Sequence, residues 1–319
     1  MEYYVLGIDT SNYTTSIAIV DQNKRLLIDN RKPLFVKEGQ RGLRQSEALF
    51  QHVLNMPVLF ENAIPNSISE KIVAVAVSSR PRPLEDSYMP VFLAATSYGQ
   101  VLSHALNCSY MEFSHQENHI EAAQWSSGEG FEAPYVGVHI SGGTTEILSV
   151  KNTFPSGYDI SIVGGTADLS AGQLIDRVGV RLGYGFPAGK AMDDAANSCS
   201  TVLKLPISVK DSTFNFSGLE TKAYQLLEHQ KDPLTVAGSI MDAIGRTLGK
   251  ALINTCAKTG LHQVLCMGGV ASSNYIKKYL TALSQNHHFK ITFGDKKYCT
   301  DNAVGTALLG LNSILKKDG

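Results

Sequence analysis

The sequence lacks the features that mark secreted, membrane-spanning and disulfide-rich proteins. Its 319 residues contain only five cysteines, an odd number with no Cys-x-x-Cys pair, which favours reduced thiols over a disulfide framework. No apolar run approaches the roughly 18 residues that a membrane span needs, and no signal-peptide pattern precedes the first apolar segment. We therefore expect a cytoplasmic protein that has no membrane partner.

A strong charge of one sign is also lacking. The net charge is −1 at pH 7 and charged residues make up 18% of the chain. No global basic field therefore indicates a nucleic-acid ligand, and any contact with RNA needs a local basic patch. Apolar residues are plentiful at 43%, enough for full hydrophobic cores, and the length predicts about two domains.

Two segments share one pattern, which is an apolar strand, a turn rich in Gly, Ser and Thr, and a second strand. They are Tyr4 to Val20 (YVLGIDTSNYTTSIAIV) and Tyr135 to Val150 (YVGVHISGGTTEILSV). Two such hairpins far apart in the chain predict two lobes of related build. Glycine-rich turns let backbone N–H groups approach phosphate oxygens closely, so the pattern favours a nucleotide ligand.

Strands and helices alternate along the chain, which predicts an α/β protein. The clearest helix runs from Pro233 to Lys258 with apolar residues at helical spacing, and Gly260 is expected to end it. Another helix is predicted from Asp301 to Leu315. The best linker candidate is Ser126 to Glu132 (SSGEGFE), because it is rich in small and polar residues.

His115 and His119 lie four residues apart in the segment His-Gln-Glu-Asn-His. On a helix this spacing puts both imidazoles on one face, within reach of a single metal ion. The zinc-protease pattern H-E-x-x-H needs a glutamate where this chain has Gln116, and Glu117 would point to the side. Two solvent-facing histidines on a polar helix fit the spacing equally well, so the pair alone leaves both interpretations open.

Asp301 lies in the segment Cys299-Thr300-Asp301-Asn302-Ala303, at the start of the last predicted helix. Taken alone, the position favours a helix cap, a role that Thr300 or Asp301 would serve well. Together with a histidine pair, Asp301 would supply a third ligand. Two histidines and one carboxylate suit iron or zinc and leave coordination positions open for a substrate.

Several positions in the second half fit a nucleotide site, and each has a plainer alternative. Gly268 and Gly269 would let a nucleotide lie against the backbone, or they form an ordinary turn between strand and helix. Asp176 would accept hydrogen bonds from ribose hydroxyls, or it forms an ion pair with Arg177 or a neighbour. Gly189 fits a ligand contact and a simple turn equally well.

These segments occur in a known order. The chain resembles the universal tRNA threonylcarbamoyladenosine synthase family, which includes bacterial TsaD and was formerly labelled O-sialoglycoprotein endopeptidase or glycoprotease. The resemblance covers nearly the whole chain. It rests on Gly7-Ile8-Asp9-Thr10-Ser11, His115 with His119, Ser141-Gly142-Gly143, Asp176 with Gly183 and Pro187, Phe214 to Leu219, Gly268-Gly269-Val270, and Cys299-Thr300-Asp301-Asn302.

The resemblance implies the two-lobed fold of the actin, sugar kinase and Hsp70-like ATPases, which is built from duplicated ribonuclease H-like domains. The duplicated hairpin agrees with this fold. We accordingly expect an N-terminal lobe of residues 1–127, completed by the C-terminal helix 301–319, and a C-terminal lobe of residues 128–300.

The family transfers a threonylcarbamoyl group from an adenylate to the exocyclic nitrogen of the adenosine beside the tRNA anticodon. The resemblance implies that His115, His119 and Asp301 hold iron or zinc, which would polarise the acyl phosphate as a Lewis acid. It also implies partner subunits, namely a related paralogue and an ATPase. The implied ligand is ATP or an acyl-adenylate, bound by Ser141, Gly142, Gly143, Asp176, Gly189, Gly268, Gly269 and Ser273.

The chain departs from the family pattern at several positions. The family carries an Asp-Glu pair in its first turn, thought to serve the transfer step, where this chain has Tyr13 and Thr14. The catalytic residues are therefore unassigned. A loop with two prolines and two arginines, Ser79 to Asp86, replaces the family's Gly-Pro-Gly-Leu. Further departures fall on Thr144 (a family histidine), Gln173 (an acidic residue), Glu220 (a lysine) and Ser273 (an asparagine).

Three hypotheses for function follow. The first is an active metal-dependent carbamoyl- or threonylcarbamoyltransferase that acts on tRNA or another acceptor, and we favour it with tRNA adenosine as the acceptor. The second is a catalytically impaired, nucleotide-binding paralogue with a regulatory or scaffold role, motivated by the missing Asp-Glu pair. The third is a metalloendopeptidase, the old family label, against which Gln116 argues.

Overall fold

The computed structural model describes residues 2–11, 13–36, 43–61, 64–153 and 155–317. The chain forms two compact units. Unit 1 comprises Met1–Ser126, Asn152–Asp159 and Thr300–Gly319, and unit 2 comprises Ser127–Lys151 and Ile160–Cys299. A short segment from the middle of the chain and the C-terminal residues are therefore parts of unit 1.

The described residues of unit 1 form one sheet with the strands β1 Tyr4–Thr10, β2 Thr14–Asp21, β3 Leu26–Pro33, β4 Ile72–Arg80 and β5 Ser109–Ser114. The strand order is β3-β2-β1-β4-β5. Strand β1 pairs antiparallel with β2 and parallel with β4. Every residue of β1 is buried, which is typical of a strand whose sheet is covered on both faces.

The α-helices of the described chain are α1 Gln45–Phe60, α2 Asn66–Ser69, α3 Phe92–Ala105, α4 His115–Ser127, α5 Ala171–Arg181, α6 Gly189–Ser198, α7 Ser217–Glu228, α8 Pro233–Thr259, α9 Asn274–Gln285 and α10 Val304–Lys317. One face of the unit 1 sheet packs its apolar side chains against α1 and α3. Helix α10 lies on β1 from the other side. A Cβ atom at Gly7 would lie 2.5 Å from the Ala303 carbonyl oxygen, so this close approach requires glycine.

The second sheet contains β6 Tyr135–Ile140, β7 Thr145–Asn152, β8 Tyr158–Thr166, β9 Ser208–Lys210, β10 Thr213–Asn215, β11 Gln263–Met267 and β12 Lys290–Phe293, in the order β12-β11-β6-β7-β8-β10-β9. Strand β6 pairs antiparallel with β7 and parallel with β11. This repeats the arrangement of β1 with β2 and β4. The prediction of a duplicated hairpin is therefore confirmed.

The long helix predicted from Pro233 to Lys258 is confirmed as α8. Its start is capped by Asp232, whose carboxylate accepts a hydrogen bond from the Thr235 N–H, and it ends at Gly260 with φ of 70°. Helix α8 forms much of the unit 2 core together with α5, α6, α7 and α9. Although α8 has 27 residues, no helix among the described residues is long and apolar enough to cross a membrane.

Candidate metal and nucleotide sites

The two histidines singled out from the sequence lie together at the start of α4. This helix begins at His115 directly after β5 ends at Ser114, so the strand end sets the position of the first imidazole. The ring centroids of His115 and His119 are 4.4 Å apart. The side chain of His119 is 5% exposed and that of His115 is 17% exposed. The interpretation of two solvent-facing histidines is therefore wrong.

Asp301 joins this pair. Its Oδ1 atom lies 3.4 Å from His119 Nε2 and 3.6 Å from His115 Nε2. The prediction that the last helix starts at Asp301, and the alternative that Asp301 caps it, are both wrong. Helix α10 starts at Val304, because the side-chain oxygen of Asn302 accepts the hydrogen bond from the Val304 N–H.

One ligand atom from each of His115, His119 and Asp301 lies within 4.8 Å of the others. Across the part of the chain that the structure describes, this is the one set of three His, Cys, Asp or Glu side chains close enough to share a metal ion. Two imidazoles and a carboxylate form a donor set that suits zinc or iron. The residues present therefore fit the metal that the sequence resemblance implies.

The electrostatics of this cluster favour a cation. Burial alone would lower the pKa of His115, but the negative charges of Asp9 and Asp301 outweigh it and raise that pKa to about 10. Burial alone would raise the pKa of Asp301, but the two imidazoles hold it well below its usual range. A positive charge among these side chains is thus stabilised by two carboxylates.

Glu117 is not part of the cluster of His115, His119 and Asp301. Its Oε2 atom accepts hydrogen bonds from the backbone N–H and the hydroxyl of Ser114, both at 2.7 Å. Its Oε1 atom accepts one from the Tyr158 N–H at 3.1 Å. Glu117 therefore anchors the unit 1 segment that contains Tyr158, and Gln116 occupies the position at which a zinc protease needs its general base.

The predicted nucleotide-binding turns come together in unit 2. Ser141, Gly142 and Gly143 follow β6, and Gly268 and Gly269 follow β11, the parallel neighbour of β6. The ends of adjacent parallel strands meet at one edge of a sheet, so the two turns are neighbours. Added Cβ atoms at Gly142, Gly143 and Gly269 would meet no atom within 4 Å. The turns therefore present open backbone, which is suited to a close ligand.

Gly268 is more than an ordinary turn residue. Its φ is 93°, and an added Cβ atom would lie 2.4 Å from the Ile140 carbonyl oxygen. Glycine is thus required both for the backbone conformation and for the close approach to β6.

Asp176 and Gly189 also lie close together. Asp176 Oδ1 accepts a hydrogen bond at 2.8 Å from the N–H of Ala188, the residue before Gly189. Burial raises the pKa of Asp176, and this hydrogen bond opposes the rise. The alternative that Asp176 pairs with Arg177 is wrong, because Arg177 Nη1 lies 3.1 Å from Glu220 Oε2.

The hydroxyl of Ser273, which the sequence analysis assigns to nucleotide binding, bonds to neighbouring residues of the chain. Its hydroxyl caps α9 by accepting from the Ile276 N–H, and it donates to the carboxylate of Asp193. Asp193 also accepts hydrogen bonds from the N–H groups of Asn274 and Tyr275. The sequence reasoning missed Asp193, which holds the segment after Gly269 in place. Nothing local signals this role, because the partners lie about 80 residues apart.

A family model described as "tRNA N6-adenosine threonylcarbamoyltransferase" (TsaD) matches residues 29–308. The chain belongs to the TsaD family. The tRNA N6-adenosine threonylcarbamoyltransferase of Thermosipho africanus is 30% identical over 318 residues, which cover 96% of this chain and 93% of that protein.

Solved structures of low sequence identity share the fold. HypF from T. kodakarensis aligns with a TM-score of 0.60 and 13% identity over 99% of this chain and 49% of HypF. A ROK family glucokinase from Streptomyces griseus, in complex with glucose and AMPPNP, aligns with a TM-score of 0.53 and 12% identity over 99% of this chain and 100% of that chain. The chain therefore has the actin, sugar kinase and Hsp70-like ATPase fold.

The positions at which this TsaD-family chain departs from the family pattern have their own partners. Glu220, at a family lysine, pairs with Arg177. The Thr144 N–H, at a family histidine, donates to the Ser141 hydroxyl at 3.1 Å. Tyr13, in place of the family Asp, is 48% exposed. No carboxylate therefore stands at Tyr13 or Thr14 to manage a proton.

The proline-arginine loop reaches the candidate metal site. The Pro81 carbonyl oxygen accepts a hydrogen bond at 3.0 Å from the N–H of Gln116, the residue that follows His115. Arg80 ends β4, and its guanidinium donates to the Ser79 hydroxyl. This loop thus replaces the glycine-rich family segment with one that is bonded to the start of α4.

Proposed function

We propose that this chain is a metal-dependent tRNA N6-adenosine threonylcarbamoyltransferase that uses a threonylcarbamoyl adenylate as the donor. The observation that carries the proposal is the convergence of His115, His119 and Asp301 in a TsaD-family chain. These three residues would hold one iron or zinc ion. When bound, that ion would supply Lewis-acid polarisation of the acyl phosphate.

We propose that the adenosine part of the donor, or ATP, is bound by unit 2. The open backbone of Gly142 and Gly143 would donate N–H groups to phosphate oxygens. Ser141 would hold this turn in place, because its N–H donates to the Thr144 carbonyl oxygen at 2.8 Å. Asp176 uses Oδ1 for the Ala188 N–H, which would orient its other oxygen toward ribose hydroxyls. The remaining candidates for contact with the nucleotide are Gly189, Gly268, Gly269 and Ser273. Of these, Ser273 already uses its hydroxyl for Asp193 and its N–H for the Val270 carbonyl oxygen.

The transfer step requires management of one proton. The exocyclic nitrogen of adenosine attacks the carbamoyl carbon, the bond from that carbon to the phosphate oxygen breaks, AMP leaves, and the nitrogen loses a proton. Tyr13 and Thr14 stand where the family carries its Asp-Glu pair, so we assign no catalytic acid or base. A missing general base typically costs about 10²–10⁴ in rate. We therefore expect a slow enzyme.

The same proposal implies tRNA and further protein subunits as partners. A net charge of −1 provides no general attraction for tRNA, so binding of tRNA would depend on a local patch or on another subunit. We propose a related paralogue and an ATPase as those subunits, in the cytoplasm. We further propose that the lobes 1–127 with 301–319 and 128–300 are the functional division of the chain.

The test is a transfer assay with purified chain, zinc or iron, threonylcarbamoyl adenylate and unmodified tRNA, with nucleosides analysed by mass spectrometry. We expect metal-dependent formation of threonylcarbamoyladenosine that His115→Ala abolishes. His104→Ala is the matched control, because His104 is exposed on α3 and in the described structure its ring contacts the Gln100 carbonyl oxygen, away from the candidate ligands. Tight adenylate binding without any product, with partner subunits present, would contradict the proposal and favour an impaired paralogue.

A further inference from the structure

The end of strand β1 contributes two polar side chains to the candidate metal site. Asp9 lies on β1 and Ser11 directly follows the strand. Because alternate residues of extended chain share one side, Asp9 and Ser11 point the same way and Thr10 points the other way. Asp9 contacts His115 and Ser11 contacts Asp301, so each of these two residues touches a different candidate ligand.

Asp9 determines how His115 presents its ring. Asp9 Oδ1 lies 2.8 Å from His115 Nδ1, and an ionised carboxylate only accepts hydrogen bonds, so Nδ1 carries the proton. The other ring nitrogen, Nε2, is therefore the one that a metal ion would bind, and it lies 3.6 Å from Asp301 Oδ1. Carboxylate partners of this kind fix the tautomer and orientation of metal-ligating histidines.

The burial of Asp9 argues against a general structural role. Its side chain is fully buried, and in the described part of the chain its Oδ2 atom has no hydrogen-bond partner. A buried carboxylate is costly unless it is paired with a positive charge. In the described structure His115 is the side chain that Asp9 hydrogen-bonds. The carboxylate is thus placed for that imidazole.

Ser11 orients Asp301 in a similar way. The Ser11 hydroxyl donates a hydrogen bond at 2.8 Å to Asp301 Oδ2, which leaves Oδ1 directed at the two imidazoles. Asp301 lies in a loop before α10, where no helix or strand fixes its side chain. An outside hydrogen bond therefore determines which oxygen faces the histidines.

A side chain of helix α1 fixes the backbone of Ser11. Its carbonyl oxygen accepts a hydrogen bond at 2.7 Å from His52 Nε2, so His52 Nδ1 is the acceptor for the Thr15 hydroxyl at 2.8 Å. His52 is fully buried, and burial lowers its pKa, which agrees with a neutral ring. The backbone at Ser11 is thereby fixed by a side chain that does not touch the candidate ligands in the described structure.

We infer that Asp9 and Ser11 are positioning residues for the metal site, Asp9 for His115 and Ser11 for Asp301. This inference rests on the proposed function, because it requires the three ligands to bind a metal ion. Loss of such outer partners typically lowers metal affinity about 10- to 100-fold. Asp9→Asn keeps an acceptor for His115 but removes the charge, whereas Ser11→Ala removes the hydrogen bond to Asp301 altogether.

Thr10 provides a matched control between the two residues. Its hydroxyl donates to the Val91 carbonyl oxygen at 2.8 Å and accepts from the Ala95 N–H at 3.2 Å, on the side away from the ligands. Thr10→Ala therefore removes two buried hydrogen bonds from the same strand end. It should lower thermal stability without changing metal affinity.

The experiment measures Zn²⁺ affinity of the full chain by competition with a chromophoric chelator, and records the visible spectrum of the Co²⁺-loaded protein. We expect Asp9→Asn and Ser11→Ala to weaken Zn²⁺ binding by about 10- to 100-fold and to alter the Co²⁺ spectrum. Ser11→Thr should restore the affinity, because it restores the hydroxyl. Thr10→Ala should match the wild type in both measurements.

The outcomes separate this inference from the proposed function. Wild-type protein that binds no Zn²⁺, Fe²⁺ or Co²⁺ would overturn the metal-dependent function and this inference with it. Wild-type protein that binds zinc, together with unchanged affinity in Asp9→Asn and Ser11→Ala, would overturn only the inference. Equal weakening in Thr10→Ala would also overturn it, since the effect would then reflect stability. If Asp9→Asn does not fold, the comparison of Ser11→Ala with Ser11→Thr tests the inference.

Discussion

The hairpin β1–β2 and the hairpin β6–β7 have the same topology but different chemistry at their turns. In each, the first strand has an antiparallel partner on one side and a parallel partner on the other. At the end of β1, Asp9 and Ser11 hydrogen-bond side chains of the candidate metal cluster. At the end of β6, Gly142 and Gly143 present open backbone.

This difference would allow one duplicated framework to take on two tasks. The strands determine where a turn lies, and the residues of the turn determine what it can hold. Carboxylate and hydroxyl groups orient ligands for a cation, whereas bare N–H groups suit an anion such as phosphate. The shared fold alone does not specify the function, which depends on the residues of the turns.

The largest expected effect comes from changing the first turn. The double substitution Tyr13→Asp with Thr14→Glu restores the acidic pair of the family pattern. We expect it to raise the rate of transfer by up to about 10²–10⁴, because it returns a general base to the turn. The measurement is single-turnover transfer to tRNA at saturating adenylate.

The matched control for that prediction is Tyr13→Asn with Thr14→Gln, which has similar shape but no acidic group. It should leave the rate unchanged. A wild-type rate equal to that of an authentic synthase from the same family would contradict the claim that the missing acids limit catalysis.

A second prediction separates structural from functional glycines in the other hairpin. Gly268→Ala should destabilise the protein by roughly 1–3 kcal/mol, because φ is 93° and the new Cβ would lie 2.4 Å from the Ile140 carbonyl oxygen. Gly142→Ala should change stability by no more than about 0.5 kcal/mol, since its Cβ would meet nothing within 4 Å.

The readouts for the glycine variants are urea denaturation and titration with a fluorescent adenine nucleotide. We expect Gly142→Ala to weaken nucleotide binding although the fold is intact. Unchanged nucleotide affinity in Gly142→Ala would show that the turn after β6 does not contact the nucleotide.

The smallest expected effect concerns a carboxylate of unit 2 that accepts hydrogen bonds from backbone amides instead of facing a cation. Asp168 accepts hydrogen bonds from the Phe216 and Ser217 N–H groups and the Ser217 hydroxyl at the start of α7. Burial would raise its pKa, but these bonds outweigh that effect and hold the pKa well below its usual range. Loss of such a helix-start acceptor costs about 0.5–2 kcal/mol.

The pH dependence of that effect has a definite sign. Because the pKa of Asp168 is lower in the folded than in the unfolded chain, its contribution is complete above about pH 4 and is lost as the pH falls below that value. The free energy of unfolding of the wild type should therefore fall more steeply between roughly pH 4 and pH 2 than that of Asp168→Asn. Parallel pH profiles of the two proteins would refute this account.

Much of the fold could be predicted from local patterns. The duplicated hairpin follows from the repeated alternation of apolar, hydroxyl-bearing and small residues, and α8 follows from apolar spacing between Asp232 and Gly260. The start of α10 was missed because Asn302 competes with Asp301 for the cap, and only tertiary contacts of Asp301 decide between them.

The candidate site was harder to predict. The spacing of His115 and His119 left metal binding and solvent exposure equally open, and the family resemblance added Asp301. The roles of Asp9 and Ser11 were missed, because Asp9 is 106 residues from His115 and Ser11 is 290 residues from Asp301. Single-sequence patterns carry no information on contacts of such separation. The metal and nucleotide assignments stay predictions.

The most direct test of the account is the metal content of the full chain after reconstitution with zinc or iron and removal of excess metal, measured by mass spectrometry. We expect one ion per chain for the wild type and almost none for Asp301→Ala or His119→Ala. Wild-type protein without bound metal, or equal metal content in wild type and Asp301→Ala, would contradict it.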